Sequence, residues 1–151
     1  MMMVEKKFYI ESKKPLQEIG MRAQVVSFLM AHAIKDGNVV NDADPHKVII
    51  AIRTATEQRI IEIKAELVDY LNRLNKNDFC YRHFPSDIWA SELMELNNPG
   101  YMAILPLNEL SSSLMLEQTS KGVGAMRYIA ETLKPLEELP SILKELSKKL
   151  K

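Results

Sequence analysis

The sequence predicts an α+β domain with the element order β-α-β-β-α-β, followed by an α-helical extension. Short stretches rich in β-branched and aromatic residues alternate with longer stretches whose apolar residues lie three or four positions apart. Residues that favour turns separate these stretches. After about residue 84 the chain becomes rich in Leu, Ser and Glu and keeps the spacing of helices. These observations together indicate a mixed domain and a helical tail.

The first strand and the first helix are predicted from a change in the spacing of apolar residues along the sequence. Lys7–Ser12 is aromatic and β-branched and stops before Lys13-Lys14-Pro15, which indicates a strand. A helix is predicted over Gly20–Lys35, and Asp36-Gly37 supplies its stop. Its apolar stripe, which would lie on a sheet, consists of Val25, Phe28, Leu29 and His32.

A hairpin is predicted next. Asn38–Asp42 and His46–Arg53 have the composition of strands, and the residues between them favour a turn. A second helix starts within Thr54–Gln58, where a hydroxyl group can cap the first turn, and ends by Asn77. Asp78–Phe84 is predicted as the fourth strand. This order is that of the split βαβ, or ferredoxin-like, sandwich, in which two helices cover one face of an antiparallel sheet.

The remaining residues predict a domain boundary. We expect residues 1–84 to form the mixed domain and residues 85–151 to form the helical extension. The extension carries adaptable methionine side chains, so we expect it to pack either on the sheet or on a partner subunit. The second alternative would give a homo-oligomer. The helices predicted in the extension are Ser86–Asn97, Leu107–Gln118, Gly124–Lys134 and Ser141–Leu150.

Composition restricts the partners. The 20 basic and 20 acidic residues cancel, so no overall field draws the chain to nucleic acid, and any affinity for anions must be local. No apolar run approaches the roughly 20 residues that cross a bilayer, and no signal peptide opens the chain, so we expect a cytoplasmic protein with no membrane partner. The single cysteine, Cys80, is expected to be a buried structural thiol in a reducing compartment.

The segments around Arg22 and Asn41 resemble the signature of the acylphosphatase family. In that family a phosphate loop of the form Gln-Gly-Val-x-Phe-Arg precedes a helix, and a strand reading Gly-Trp-Val-x-Asn follows. The eighteen residues between Arg22 and Asn41 are about the number that the family uses. The match covers roughly the first 84 residues. The matching positions are Gln17, Ile19, Met21, Arg22, Gly37 and Asn41, and Asn38 stands in place of Trp.

The resemblance implies a hydrolase that cleaves a carboxylic-phosphoric mixed anhydride. Arg22 and the loop amides would bind the phosphoryl group, and Asn41 would position the attacking water. No cofactor and no metal ion is implied, and the partner is a small phosphorylated anion. The phosphate-binding residues would be Gln17, Glu18, Ile19, Gly20, Met21 and Arg22.

One departure from the family pattern matters more than the others. Glu18 stands where the loop has its first Gly, which predicts a strained turn and places a carboxylate near the proposed anion. The same departure, together with the helical tail, leaves a second function open. In that alternative the chain is a catalytically inactive module of the same fold that binds or oligomerises.

Overall fold

A computed structural model describes residues 2–77, 81–96, 103–117, 126 and 139–149. The chain divides into two compact units, Met1–Met115 and Leu116–Lys151, and each is described by itself. Cys80 and the predicted helix Gly124–Lys134, apart from Met126, lie outside the described residues.

The first unit is an α+β fold with an antiparallel sheet, as the sequence predicts, but the sheet has five strands and not the predicted four. Along the sheet the strand order is β4-β1-β3-β2-β5. The elements in chain order are β1 (Val4–Glu11), α1 (Met21–Ala31), β2 (Asp36–Asn41), β3 (Lys47–Thr54), α2 (Glu57–Asn77), β4 (Trp89–Ala90), β5 (Leu105–Pro106) and α3 (107–117).

The core lies between one face of the sheet and the helices α1 and α2. The register aligns Phe8 with Ile50 and Ile50 with Val39, so these three side chains point to the same face. All three are buried. They form one cluster with the apolar stripes of the helices, which consist of Val25, Phe28 and Leu29 on α1 and Ile60, Ile63, Leu67 and Leu71 on α2.

Helix α1 ends at Ala31, earlier than the predicted Lys35. Ala33 has a φ of 62°, and the N–H groups of Ala33 and Ile34 donate to the carbonyls of Met30 and Leu29. These two hydrogen bonds form a Schellman motif, which closes the helix with a left-handed residue. Ile34 is buried, so the cap also contributes to the core. The predicted stop at Asp36-Gly37 is wrong because both residues belong to β2.

The predicted fourth strand over Asp78–Phe84 is wrong for its described residues, since 81–84 form a tight turn. The predicted helix Ser86–Asn97 is also wrong, because this segment contains the short strand β4 and runs along β1. Long-range hydrogen bonds hold it there. Asn72 on α2 accepts from the N–H of Ile88 at 2.8 Å and donates to its carbonyl at 2.9 Å. The Asp87 carboxylate accepts from the Ser12 hydroxyl at 2.5 Å.

Helix α3 agrees with the prediction over 107–117. Its Leu107 and Leu114 are buried in the core of the first unit, and the Leu107 N–H donates to the Lys35 carbonyl at 2.8 Å. Strands β4 and β5 therefore lie in the first unit although both follow residue 84. The domain boundary expected there stays a prediction.

The second unit contains α4 (Leu139–Lys149), close to the predicted Ser141–Leu150. Leu143 and Leu146, one turn apart, are 56% and 49% exposed, whereas polar and charged residues occupy the opposite side of the helix. Among the described residues of the chain, no helix is long and apolar enough to cross a bilayer.

Candidate functional site

Main-chain and side-chain hydrogen bonds hold the segment between β1 and α1 against the β2–β3 hairpin. The N–H groups of Leu16 and Gln17 both donate to the Pro45 carbonyl, at 2.9 and 3.3 Å. The Gln17 side chain then reaches into the hairpin turn. Its Nε2 lies 2.7, 3.1 and 3.3 Å from three carbonyl oxygens, those of Asp42, Asp44 and Lys47. Gln17 therefore fixes the loop to the residue that follows Asn41.

The hairpin turn is shaped by its own carboxylates. Asp42 Oδ2 accepts from the N–H of Asp44 at 3.2 Å, and Asp44 Oδ1 accepts from the N–H of His46 at 2.9 Å. Such Asx turns stabilise tight connections. His46 also joins the turn to the end of β1 through a 3.0 Å hydrogen bond from its Nδ1 to the Ser12 carbonyl. In the part of the chain that the structure describes, no three His, Cys, Asp or Glu side chains are grouped to hold a metal ion.

Two residues of the loop have left-handed backbone conformations. Glu18 has a φ of 68°, and Gly20, the N-cap of α1, has a φ of 85°. A left-handed conformation costs a non-glycine residue about 1–2 kcal/mol, so the strain expected at Glu18 is present. The Glu18 side chain is exposed to solvent. The first turn of α1 carries no acidic residue and no side-chain cap.

Arg22 and Asn41 lie on elements that meet at this end of the sheet. Arg22 is the second residue of α1, directly after the loop, and Asn41 is the last residue of β2, directly before the hairpin turn. Alternation along β2 gives Asn41 the same face as buried Val39, which is the face that α1 covers. Both side chains are half-buried. Of the other predicted site residues, Ile19 is half-buried and Met21 is buried in the core.

The turn over 81–84 adds residues to this region that sequence reasoning missed. His83 Nε2 lies 3.2 Å from the Ile19 carbonyl, and the Tyr81 hydroxyl accepts from Gln24 Nε2 at 2.7 Å. Sequence reasoning missed both contacts because it predicted this segment as a strand of the sheet. The sequence signal was a run of aromatic and basic side chains that follows helix α2.

A separate cleft of about 390 Å³ lies at the opposite end of the sheet, around Asp36 and Thr54. Arg53 and Arg59 line it, but their guanidinium groups form ion pairs with Glu5 at 2.6 Å and Glu62 at 3.6 Å. These pairs offset the positive charge. We therefore expect the cleft to attract an anion less strongly than the loop before α1.

The chain matches no model of a known protein family, and it matches no curated protein.

Proposed function

We propose that the chain is an acylphosphatase-like hydrolase, built on a ferredoxin-like sandwich, that cleaves a carboxylic-phosphoric mixed anhydride. The strand order β4-β1-β3-β2, with antiparallel neighbours, supports the fold, and β5 adds an edge strand to it. The observation that carries the function is the link from Gln17 to the hairpin carbonyls. It ties the loop that leads to Arg22 to the end of the strand that carries Asn41.

In this proposal the loop and the start of α1 bind the phosphoryl group. Main-chain N–H groups at the amino terminus of a helix favour an anion, and the first turn of α1 carries no competing carboxylate. Arg22 adds a planar guanidinium that can donate two parallel hydrogen bonds to phosphoryl oxygens. The exposed Glu18 carboxylate is screened by water, so it weakens the binding of an anion without filling the site.

Asn41 would orient the attacking water. Its amide can donate and accept, so it can hold water in line with phosphorus without acting as a strong base. The carboxylate that leaves is a weak base and needs little protonation. Positioning of the attacking water and stabilisation of the phosphoryl charge can therefore accelerate the hydrolysis, and no covalent intermediate is required.

Hydrolysis of benzoyl phosphate without added metal tests the proposal. Arg22→Ala and Asn41→Ala should each lower kcat/KM by about 100-fold or more, because each removes a group that acts in the transition state. Arg73→Ala and Asn77→Ala are matched controls on the exposed side of α2 and should leave the rate unchanged. Equal rates in the wild type and in both site variants would remove the proposed roles.

A second function, an inactive module that self-associates, is favoured by one observation. Leu143 and Leu146 form an exposed apolar stripe on α4, and such a stripe is stabilised when a second copy covers it. The oligomeric state of the full chain, measured by light scattering, tests this function. Self-association alone is compatible with hydrolysis, so this second function also requires that the chain does not hydrolyse benzoyl phosphate.

A further inference from the structure

His83 contacts the loop at Ile19, two residues after Gln17. A carbonyl oxygen only accepts hydrogen bonds, so the 3.2 Å contact with Ile19 requires a hydrogen on His83 Nε2. Residues 16 and 17 are held by Pro45 and by the hairpin carbonyls, whereas residue 19 is held by His83. The two ends of the short loop are thus fixed by different parts of the fold.

The hydrogen bond from His83 also sets the direction of one loop amide. Peptide bonds of the described residues are trans, so the N–H of Gly20 points opposite to the carbonyl of Ile19. Because that carbonyl is turned to His83, the Gly20 N–H points away from the turn over 81–84. Gly20 is also the N-cap of α1, so this peptide is the last one before the helical amides.

The imidazole is itself held in place. Its ring makes an edge contact with Phe84 at 4.9 Å between centroids, and Phe84 is buried. Tyr81 makes an edge contact with Phe84 at 5.3 Å, and the N–H of Phe84 donates to the Tyr81 carbonyl at 3.0 Å. The bond from Gln24 to the Tyr81 hydroxyl joins this turn to the second turn of α1. The turn over 81–84 therefore contacts both the loop and the helix that follows it.

We propose that His83 is a positioning residue for the phosphate loop, which fixes the direction of the Gly20 N–H by holding the Ile19 carbonyl. This inference rests on the proposed function, in which the loop amides bind the phosphoryl group. His83 acts through the loop and does not touch the reacting atoms. Its loss should therefore weaken phosphate binding and raise KM, and leave kcat nearly unchanged.

Two variants separate the hydrogen bond from packing. His83→Phe keeps a ring beside Phe84 but removes the donor, and His83→Gln keeps an amide donor of similar reach. His32→Phe is the matched control, since His32 lies at the opposite end of α1. We expect His83→Phe to raise the KM for benzoyl phosphate and the Kd for inorganic phosphate roughly three- to tenfold, the effect of one hydrogen bond. His83→Gln should recover most of this loss, and His32→Phe should show none.

Amide hydrogen exchange over residues 17–22, measured without ligand, gives a readout that is independent of activity. Faster exchange in His83→Phe than in His83→Gln supports the positioning role. Equal exchange and equal KM in the wild type and in His83→Phe would overturn it. A wild type that neither binds phosphate nor hydrolyses the substrate would instead remove the proposed function, and the exchange data would still decide whether His83 orders the loop.

Discussion

At the scale of single residues, Glu18 and Ala33 hold left-handed conformations with φ of 68° and 62°. Ala33 closes α1, and both of its Schellman hydrogen bonds use main-chain atoms, so the side chain is not needed for them. We expect Ala33→Gly to raise the free energy of unfolding by about 0.5–1 kcal/mol. The left-handed cost of about 1–2 kcal/mol is removed, and the extra chain entropy of glycine offsets part of the gain. Denaturant unfolding measures the change in the free energy of unfolding, and a loss of stability would contradict this account of the cap.

Glu18→Gly relieves the same kind of strain within the proposed phosphate loop. We expect a similar gain in stability and, in addition, a lower Kd for inorganic phosphate, because a carboxylate near the bound anion is removed. Ala33→Gly is the matched control, since it relieves strain at the other end of α1. If both variants gain stability equally and neither changes phosphate binding, Glu18 has no electrostatic influence on the site.

Asp87 links stability to pH. The Ser12 hydroxyl and the Lys13 N–H donate to its carboxylate and lower its pKa from the ordinary 3.8. A lowered pKa in the folded state contributes stability above the unfolded-state pKa, and this stability is lost as pH falls through the folded-state pKa. Asp87→Asn should therefore reduce stability at neutral pH, by less than about 1 kcal/mol because the group is exposed. The unfolding curves of variant and wild type should converge as pH falls below the folded-state pKa of Asp87, and a difference that stays constant with pH would argue against the linkage.

At the scale of elements, Gly37 shows why β2 and β3 can lie so close together. A Cβ atom at this position would lie 2.4 Å from the Ala51 carbonyl oxygen, so either β2 or β3 would have to shift. We expect Gly37→Ala to destabilise the fold by about 1–3 kcal/mol, in the range of an overpacked core. Thermal unfolding measures the loss. A melting temperature equal to that of the wild type would show that the strands separate easily.

The elements whose prediction is confirmed are those that local sequence determines. Strands β1 to β3 and helices α1 and α2 occur where alternating or helical patterns predict them, with ends that differ by a few residues. The segment after α2 fails because long-range partners decide its structure. Asn72 holds Ile88, Ser12 holds Asp87, and the carbonyl of Tyr9 accepts from the N–H of Ser91. A window of neighbouring residues carries no information about such partners.

The candidate site divides in the same way. The strand, loop and helix around Arg22 and Asn41 were predictable, because Arg22 lies in a regular helix, Asn41 lies in a regular strand and the loop directly precedes the helix. The anchors of the loop were not, since His83 is 64 residues away from Ile19 along the chain. The role of Gln17 was predicted only as a phosphate-binding position. Its side-chain amide is directed to the hairpin, which is a contact between segments that only the folded chain brings together.

At the scale of the whole molecule, the proposed self-association makes a direct prediction for α4. Replacing Leu143 and Leu146 by Lys removes the exposed apolar stripe and adds repulsion between copies. If the stripe mediates association, the double variant should be a monomer at concentrations at which the wild type is a dimer or larger. Light scattering measures this difference. Glu145→Lys, on the charged side of the same helix, is the control, and a wild type that is monomeric throughout would exclude the interface.

The three carbonyl oxygens around Gln17 Nε2 limit which residues evolution can accept at this position. A primary amide has only two hydrogens, so at least one hydrogen is shared between two acceptors. Glu would bring a negative charge against three oxygens, Met would leave them without a donor, and Asn is one methylene too short. Saturation mutagenesis scored by folding alone should therefore find position 17 nearly as intolerant of substitution as the core, even in cells that do not need the protein.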